Sequence, residues 1–301
     1  MTWGVETDAD EAAAQLVAFH DAGGTLVDTA AAYGYGHAEL ILGQLIADVV
    51  PRSDLTIATK AGIVRTPDDR VVDASRGALL RQLDESLRAL GTDYIDLWYV
   101  HYVDDTVPFE ETLSALDFAV GAGKVRYVGV SNYCGWRLAR AATWQQAMPG
   151  RAPIVANQVR YSLLDRGIER EVIPACAELG VGIMPYSPLG GGVLTGKYRG
   201  GIPADSRAAA ARVLPLDQRP GTPGIVEAVA TAAEGLACSP LAVSLAWLRD
   251  RPGVVSAILG ARTLGQLTAA LASETVELPV EISDALDDVS APPIDYPENV
   301  S

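Results

Sequence analysis

Short apolar runs alternate with longer amphipathic stretches along most of the chain, and this alternation predicts repeated strand–helix units. Stretches with the 3.6-residue period of an α-helix lie at about 8–22, 38–49, 75–90, 109–121, 136–146, 169–179 and 223–250. Apolar runs typical of buried strands lie between them, at 25–28, 55–60, 94–101, 124–130, 154–158, 182–186 and 254–259. Because these runs are nearly continuously apolar, they indicate a parallel sheet with helices on its faces.

Residue types at the predicted helix ends support these boundaries. Gly91 and Gly180 each follow the last apolar position of a helix, where glycine adopts the left-handed conformation without a Cβ clash. Ser75 is placed to accept a hydrogen bond from the first turn of the following helix. The sequence therefore predicts a helix that begins at Ser75 and ends before Gly91.

Seven predicted strands alternate with helices without a break in composition. This pattern favours a (β/α)8 TIM barrel, formed as a single domain by residues 1–301. The first strand is missing from this pattern, because the chain enters a helix soon after Gly4. We expect a barrel without the N-terminal hairpin and most of the first strand. Either another element closes it or the sequence is shortened at its N-terminus, with Met1 an internal methionine of a longer ancestor or a mis-set start. A long loop rich in Gly, Pro and Arg at about 187–222 is of the kind that forms lids or binding loops.

Composition narrows the classes of function. The 301 residues are 49% hydrophobic and carry a formal net charge of −15, which excludes disorder and argues against nucleic acid as a partner. No export signal and no apolar run long enough for a membrane span are visible, so we expect a cytoplasmic protein with no membrane partner. The cysteines are scattered without metal-ligand spacing, and no metal site is predicted. Nothing in the sequence indicates an oligomeric state.

Ionisable side chains stand at the ends of successive predicted strands. Asp28, Lys60 and His101 each end a strand, and Tyr33 follows Asp28 by five residues. In a barrel the chemistry lies at the carboxyl ends of the strands, so we expect these side chains to converge at one mouth. Each alone is at least as often structural, as a turn cap, a solvated amine or a packed imidazole. Their joint placement is what favours a catalytic site.

The chemistry of this set is that of carbonyl reduction. Asp28 supplies the counter-charge that Lys60 needs, and the ammonium is expected to lower the pKa of the Tyr33 phenol. Such a phenol can protonate an oxygen that gains negative charge, and His101 can orient that oxygen. The set lacks only a source of hydride.

A series of motifs then carries a family resemblance. In chain order they are Asp28-Thr29-Ala30-x-x-Tyr33-Gly34, Thr59-Lys60, Leu97-x-x-Val100-His101, Gly129-Val130-Ser131-Asn132, Asn157-Gln158 and Tyr186-Ser187-Pro188-Leu189. Together they resemble the aldo-keto reductases, in the right order from about residue 3 to about residue 270. The resemblance implies that Tyr33 is the general acid, that Lys60 and Asp28 tune it, and that His101 orients the substrate carbonyl. It also implies NADPH (NADP⁺) bound across the barrel mouth without a Rossmann domain.

The same resemblance assigns the cofactor site. It implies that Ser131, Asn132 and Gln158 hold the nicotinamide amide and that Tyr186 stacks on the ring. The segment from 190 to 197 contains GxxxxGK, but Tyr198 replaces the Ser or Thr of a P-loop, so we interpret it as a glycine loop that approaches the pyrophosphate. The remaining residues expected to contact the cofactor are Ser187, Leu189, Gly191, Lys197, Gly260, Arg262 and Gln266.

The adenosine end decides between NADPH and NADH. Arg262 stands before a predicted helix, which is an anion site, and in the family this segment holds the 2′-phosphate. Arg262 therefore favours NADPH, with a solvated arginine as the alternative. Ala269 and Ala270 depart from the Glu-Asn pair that relatives often place against adenine.

The predicted function is NADPH-dependent reduction of a small-molecule aldehyde or ketone. Aromatic residues near the strand ends are candidates to line an apolar substrate pocket: Trp3, Tyr102, Tyr133, Trp136 and Tyr161. Two alternatives stay open. One is a nucleotide-sugar or other biosynthetic ketoreductase, and the other is a regulatory subunit that binds the cofactor with little turnover.

Overall fold

The computed structural model describes residues 2–65, 70–204, 209 and 221–292. Its strands are β1 (Leu26–Asp28), β2 (Thr56–Ala61), β3 (Ile63–Arg65), β4 (Arg70–Val72), β5 (Ile95–Val100), β6 (Val125–Ser131), β7 (Ile154–Arg160) and β8 (Gly182–Tyr186). Its helices are α1 (Ala9–Asp21), α2 (His37–Asp48), α3 (Arg76–Leu90), α4 (Phe109–Gly121), α5 (Gly135–Gln146), α6 (Val172–Leu179), α7 (Thr222–Gly235), α8 (Pro240–Arg249), α9 (Leu264–Leu271) and α10 (Val280–Ser290).

The strands of the main sheet follow one another in chain order. Within the described residues, six strands form this sheet in the order β1-β2-β5-β6-β7-β8, and the registers from β1 to β7 are parallel. Helices connect most successive strands of this sheet, because parallel strands need a crossover connection. This is the topology of a (β/α)8 barrel, and the predicted fold class is confirmed. Strands β3 and β4 form a separate antiparallel pair that the sequence pattern did not predict.

Helix α3, whose two ends were both predicted, shows how the local sequence determines a helix. In α3, the Ser75 hydroxyl accepts a hydrogen bond from the Ala78 amide at 3.3 Å, and Gly91 closes the helix at a left-handed φ of 61°. Leu79 and Leu83, one turn apart, are both fully buried. The predicted caps of this helix are therefore confirmed.

Two predicted elements differ in the structure. The run 254–259 is not a strand, since among the described residues it has only isolated bridge positions, at Val254 and at Ile258, which pairs with Tyr186. The stretch 223–250 is two helices, α7 and α8, because Pro240 cannot continue a helix and Ser239 caps the new one. Among the described residues no single helix has the length and apolar character of a membrane span, and α7 and α8 pass that test only as a pair bent by 100°.

The chain divides into two compact units. The first comprises Met1–Val159, Glu171–Met184 and Gly260–Leu271, and the second comprises Arg160–Arg170, Pro185–Leu259 and Ala272–Ser301. The prediction of a single domain stays a prediction. In the first unit, the described residues before α1 form a single isolated bridge, between Trp3 and Thr7. Residues 205–208 and 210–220 of the predicted loop at 187–222 lie outside the described residues.

Candidate active site

The register of the first strands brings the candidate catalytic residues together. Asp28 pairs with Ala58 on β2, and Lys60 follows Ala58 by two positions, so Asp28 and Lys60 share one face of the sheet. Tyr99 of β5 is opposite Lys60, and Gly129 of β6 is opposite Tyr99, so these residues share that face too. The convergence expected from the strand ends is therefore present in the first unit.

Tyr33 is positioned by a tight turn between β1 and α2. Its amide donates to the Ala30 carbonyl at 2.9 Å, and the next residues, Gly34 and Tyr35, have left-handed φ angles of 57° and 56°. A left-handed φ is strained for a non-glycine residue such as Tyr35, so the surrounding contacts must fix the backbone conformation of this turn. It brings the Tyr33 phenol towards the end of β2.

The Lys60 ammonium is the centre of the site. Its Nζ donates to Asp28 Oδ2 at 2.5 Å, to the Thr29 carbonyl at 2.8 Å and to the Tyr33 hydroxyl at 3.3 Å. The side chain of Lys60 is fully buried and that of Asp28 is 5% exposed. A buried ammonium needs such partners, and here all three of its protons have an acceptor.

Burial and the ion pair act in opposite directions on the site's pKa values. Burial lowers the pKa of Lys60, but the attraction of Asp28 and the contact with Tyr33 outweigh it, and the pKa of Lys60 is raised. Burial raises the pKa of Tyr33, and the Lys60 ammonium lowers it by less. The expected lowering of the Tyr33 pKa is therefore wrong in its net direction, although Lys60 acts with the predicted sign.

His101 lies directly beyond β5 and beside the phenol. Its amide donates to the Ala61 carbonyl at 2.9 Å, which holds the residue at the end of the sheet. Its ring centroid is 6.0 Å from that of Tyr33, edge to face, and 5.4 Å from that of Tyr102, stacked. The imidazole is thus held between two phenols, one of which is that of Tyr33, the predicted acid.

The predicted nicotinamide-binding residues form a network with the catalytic ones. Asn132 Nδ2 donates to the His101 carbonyl at 3.1 Å and to Ser131 Oγ at 3.0 Å. Gln158 Nε2 donates to Asp28 Oδ1 at 2.8 Å, and Ser131 Oγ donates to the Gln158 carbonyl at 2.9 Å. Since both side-chain amides donate through nitrogen, their oxygens are the acceptor ends, which suits the NH₂ group of a carboxamide.

The glycine loop belongs to the second unit. Gly191 and Gly192 have left-handed φ angles of 68° and 93°, and a Cβ added to Gly192 would lie 3.0 Å from Lys197 Nζ. Consecutive left-handed glycines beside an amine are suited to a phosphate group. Tyr186, Ser187 and Leu189 precede this loop in the same unit. The role of all these residues towards a cofactor stays a prediction.

The predicted adenosine-binding segment is in the first unit, at the beginning of α9. The Arg262 amide donates to Gln266 Oε1 at 2.9 Å, so these two residues form one turn with Gly260 just before it. The Arg262 guanidinium lies 4.0 Å from Glu6 Oε2. The anion site predicted here therefore has a carboxylate close to its cation.

The aromatic residues predicted to line a pocket divide into several groups. Tyr161 is fully buried in the second unit, with its hydroxyl donating to Glu169 Oε1 at 2.6 Å, so its assignment to an open pocket is wrong. Tyr133 is 4% exposed and Trp136 is 58% exposed. Trp3 donates from its indole to Gln15 Oε1 at 3.0 Å. Tyr102 stacks on His101, one of the candidate catalytic residues.

Two features of the site were not predicted. Gln158 was expected to hold a cofactor, but it also orients Asp28 from 130 residues away, a contact without a sequence signal. Tyr99 lies fully buried beneath Lys60, and Gly129 makes room for its ring, since a Cβ there would lie 2.6 Å from it. Among the described residues no cluster of His, Cys, Asp and Glu could hold a metal ion.

A protein family and several individual proteins match this chain in sequence. A family model described as "Aldo/keto reductase family" matches residues 1–291. The "probable voltage-gated potassium channel subunit beta" of Oryza sativa subsp. japonica is 34% identical over 300 residues, which cover 97% of this chain and 90% of that protein. The "uncharacterized oxidoreductase YrpG" of Bacillus subtilis is 32% identical, covering 96% and 90%. The "L-glyceraldehyde 3-phosphate reductase" of Escherichia coli is 39% identical over 192 residues, covering 62% and 55%.

Proposed function

The chain belongs to the aldo/keto reductase family, and we propose that it reduces an aldehyde or ketone to an alcohol with NADPH, using Tyr33 as the proton donor. The observation that carries the proposal is the position of Lys60 Nζ, 2.5 Å from Asp28 Oδ2 and 3.3 Å from the Tyr33 hydroxyl. A buried ion pair in contact with a phenol is the arrangement that stabilises a phenolate at the moment when the proton leaves.

The residues proposed for the cofactor fit its chemistry. The acceptor oxygens of Asn132 and Gln158 suit the amide of a nicotinamide, and Arg262 suits a phosphate. When bound, NADPH supplies the hydride that converts a carbonyl carbon into an alcohol carbon.

The chain's own residues then manage the proton. Tyr33 donates a hydrogen bond to the substrate carbonyl and transfers its proton to the oxygen as negative charge develops there. The Lys60 ammonium stabilises the resulting phenolate, and Asp28 keeps that ammonium charged. His101, next to Tyr33, donates a second hydrogen bond that orients the carbonyl oxygen. A proton from solvent restores Tyr33 for the next turnover.

The test is the variant Tyr33→Phe, assayed by loss of NADPH absorbance with aldehydes, dicarbonyls and keto-sugars. We expect kcat to fall by roughly 10²- to 10⁴-fold, as for removal of a general acid, with NADPH affinity unchanged. Tyr35→Phe is the matched control, because it removes a phenol that is two residues away and 65% exposed. Parental activity in Tyr33→Phe would disprove the assignment of the acid.

A second candidate is a cofactor-binding subunit with little turnover. The name of the rice relative, a probable channel subunit, favours it. This candidate predicts tight NADPH binding with negligible oxidation over the whole carbonyl panel. Turnover that is limited to keto-sugars would instead favour a biosynthetic ketoreductase.

A further inference from the structure

The beginning of α9 is capped by a carboxylate from a distant part of the chain. Glu11, on the first turn of α1, accepts a hydrogen bond through Oε1 from the amide of Leu264, the first residue of α9. Arg262 and Gln266, which we propose hold the 2′-phosphate of NADPH, belong to this same turn. A negative charge of the protein therefore lies where the proposed function places a negative charge of the cofactor.

A second carboxylate, that of Glu6, also lies close to this turn. Glu6 Oε2 lies 4.0 Å from Nε of Arg262, and the next residue, Thr7, donates from its hydroxyl to the Arg262 carbonyl at 3.1 Å. Thr2 similarly donates to the Ala261 carbonyl at 3.0 Å. These contacts fasten the segment that carries Glu6 against the turn, so its carboxylate is not a remote surface charge.

The electrostatic consequence differs between the two nicotinamide cofactors. Backbone amides at a helix beginning and an arginine attract a phosphate, whereas carboxylates at the same place repel it and compete for the same donors. The 2′-hydroxyl of NADH is neutral, and it can donate a hydrogen bond to a carboxylate. The two carboxylates therefore disfavour NADPH and leave NADH unaffected or favoured.

We propose that Glu11, assisted by Glu6, is a cofactor-specificity residue that reduces the preference for NADPH over NADH set by Arg262. This inference rests on the proposed function, since it concerns the same cofactor site. It implies that the parental chain discriminates weakly between the two cofactors and that loss of the carboxylate charge sharpens the preference for NADPH.

The test uses Glu11→Gln and Glu6→Gln in the full chain. Glutamine retains an oxygen that can accept from the Leu264 amide, so the cap persists while the charge is removed. Asp10→Asn is the matched control, since it makes the same change in charge on the neighbouring, exposed position of α1. Dissociation constants of NADPH and NADH are measured by fluorescence titration without substrate, and thermal melts confirm that each variant is folded.

We expect the ratio of the NADH to the NADPH dissociation constant to rise by about three- to tenfold in Glu11→Gln, and further in the double variant, as for partly screened charges. Asp10→Asn is expected to leave the ratio within about twofold of the parent. An unchanged ratio in Glu11→Gln and Glu6→Gln, with both cofactors bound, would overturn this inference but not the proposed function. Failure of the parental chain to bind either cofactor would overturn both. If Glu11→Gln does not fold, Glu6→Gln, on an exposed position, decides the outcome.

Discussion

Replacement of Lys60 by methionine tests whether the buried ion pair is the centre of the site. The side chain of Lys60 is fully buried, and its Nζ has Asp28, Tyr33 and the Thr29 carbonyl as partners. Lys60→Met leaves the Asp28 carboxylate, which is 5% exposed, with Gln158 Nε2 at 2.8 Å as its side-chain donor among the described residues. An uncompensated buried charge costs about 3–5 kcal/mol of unfolding free energy.

The double variant separates the cost of an unpaired charge from the loss of contacts. Asp28→Asn leaves an unpaired ammonium and is expected to cost a similar amount, whereas Asp28→Asn/Lys60→Met leaves no charge. We expect the double variant to lose less than the sum of the single variants by about 2–4 kcal/mol, as for a coupled buried pair. Such losses are a large part of the ~5–15 kcal/mol stability of an ordinary domain, so they are measurable by urea unfolding.

A surface pair in the same chain provides the control. Lys124 Nζ lies 2.6 Å from Asp84 Oδ1, with side chains 37% and 48% exposed. Lys124→Met is expected to cost less than about 1 kcal/mol, because solvent screens that pair. Since the pKa of Lys60 is raised, its charge and the associated stability persist at neutral pH and are lost only as the pH rises through that raised pKa. Additive effects of Asp28→Asn and Lys60→Met would refute the reasoning.

Three further predictions concern packing and titration. Gly129→Ala should destabilise the chain by about 1–3 kcal/mol in urea unfolding, because its Cβ would lie 2.6 Å from the Tyr99 ring. Gly77→Ala, with open space around it, should instead stabilise α3 by about 0.5–1 kcal/mol, and equal effects of the two substitutions would contradict the packing argument. Burial raises the pKa of Glu39, so ionisation of this buried carboxyl above that pKa destabilises the folded chain. Glu39→Gln should therefore have a Tm a few degrees above that of the parent at about pH 8 and an equal Tm near pH 4, with 1 kcal/mol corresponding to about 2 °C. A melting difference that is independent of pH would disprove the Glu39 argument. Because burial raises the pKa of Tyr33 above 10.0, kcat for reduction should stay level to about pH 9 and decline only at higher pH; a decline near neutrality would assign the acid to another group.

Local periodicity predicted most of the helices and strands, and it failed where structure depends on partners. The run 254–259 is apolar enough for a strand, but strand formation needs a neighbour in register. In the described residues the run has only isolated bridge positions, at Val254 and Ile258. The break between α7 and α8 had a visible signal in Ser239 and Pro240, which a longer apolar period obscured. Hydrophobic periodicity indicates which face of a helix or strand is buried, but it does not indicate which other strand a strand pairs with.

Part of the candidate site was predictable, because the carboxyl ends of parallel strands lie at the same edge of a sheet. Asp28, Lys60 and His101 were expected together for that reason, and the structure places them together with Tyr33. The contact between Gln158 and Asp28 joins residues on non-adjacent strands, and no spacing in the sequence predicts it. The carboxylate of Glu11 at α9 is a contact of the same kind.

The net pKa of Tyr33 could not be obtained from the sequence, because it is a balance between two large opposing effects. The sequence names Lys60, whose charge lowers the pKa, but the loss of solvent around the phenol depends on packing and is larger. A raised pKa of Tyr33 suits reduction, because the phenol stays protonated while a carbonyl substrate binds. In the proposed reduction, Lys60 contributes after the proton has begun to leave, by stabilising the phenolate, and not by ionising the phenol beforehand. We therefore propose that the ion pair with Asp28 lowers the barrier of proton transfer without depleting the acid at neutral pH.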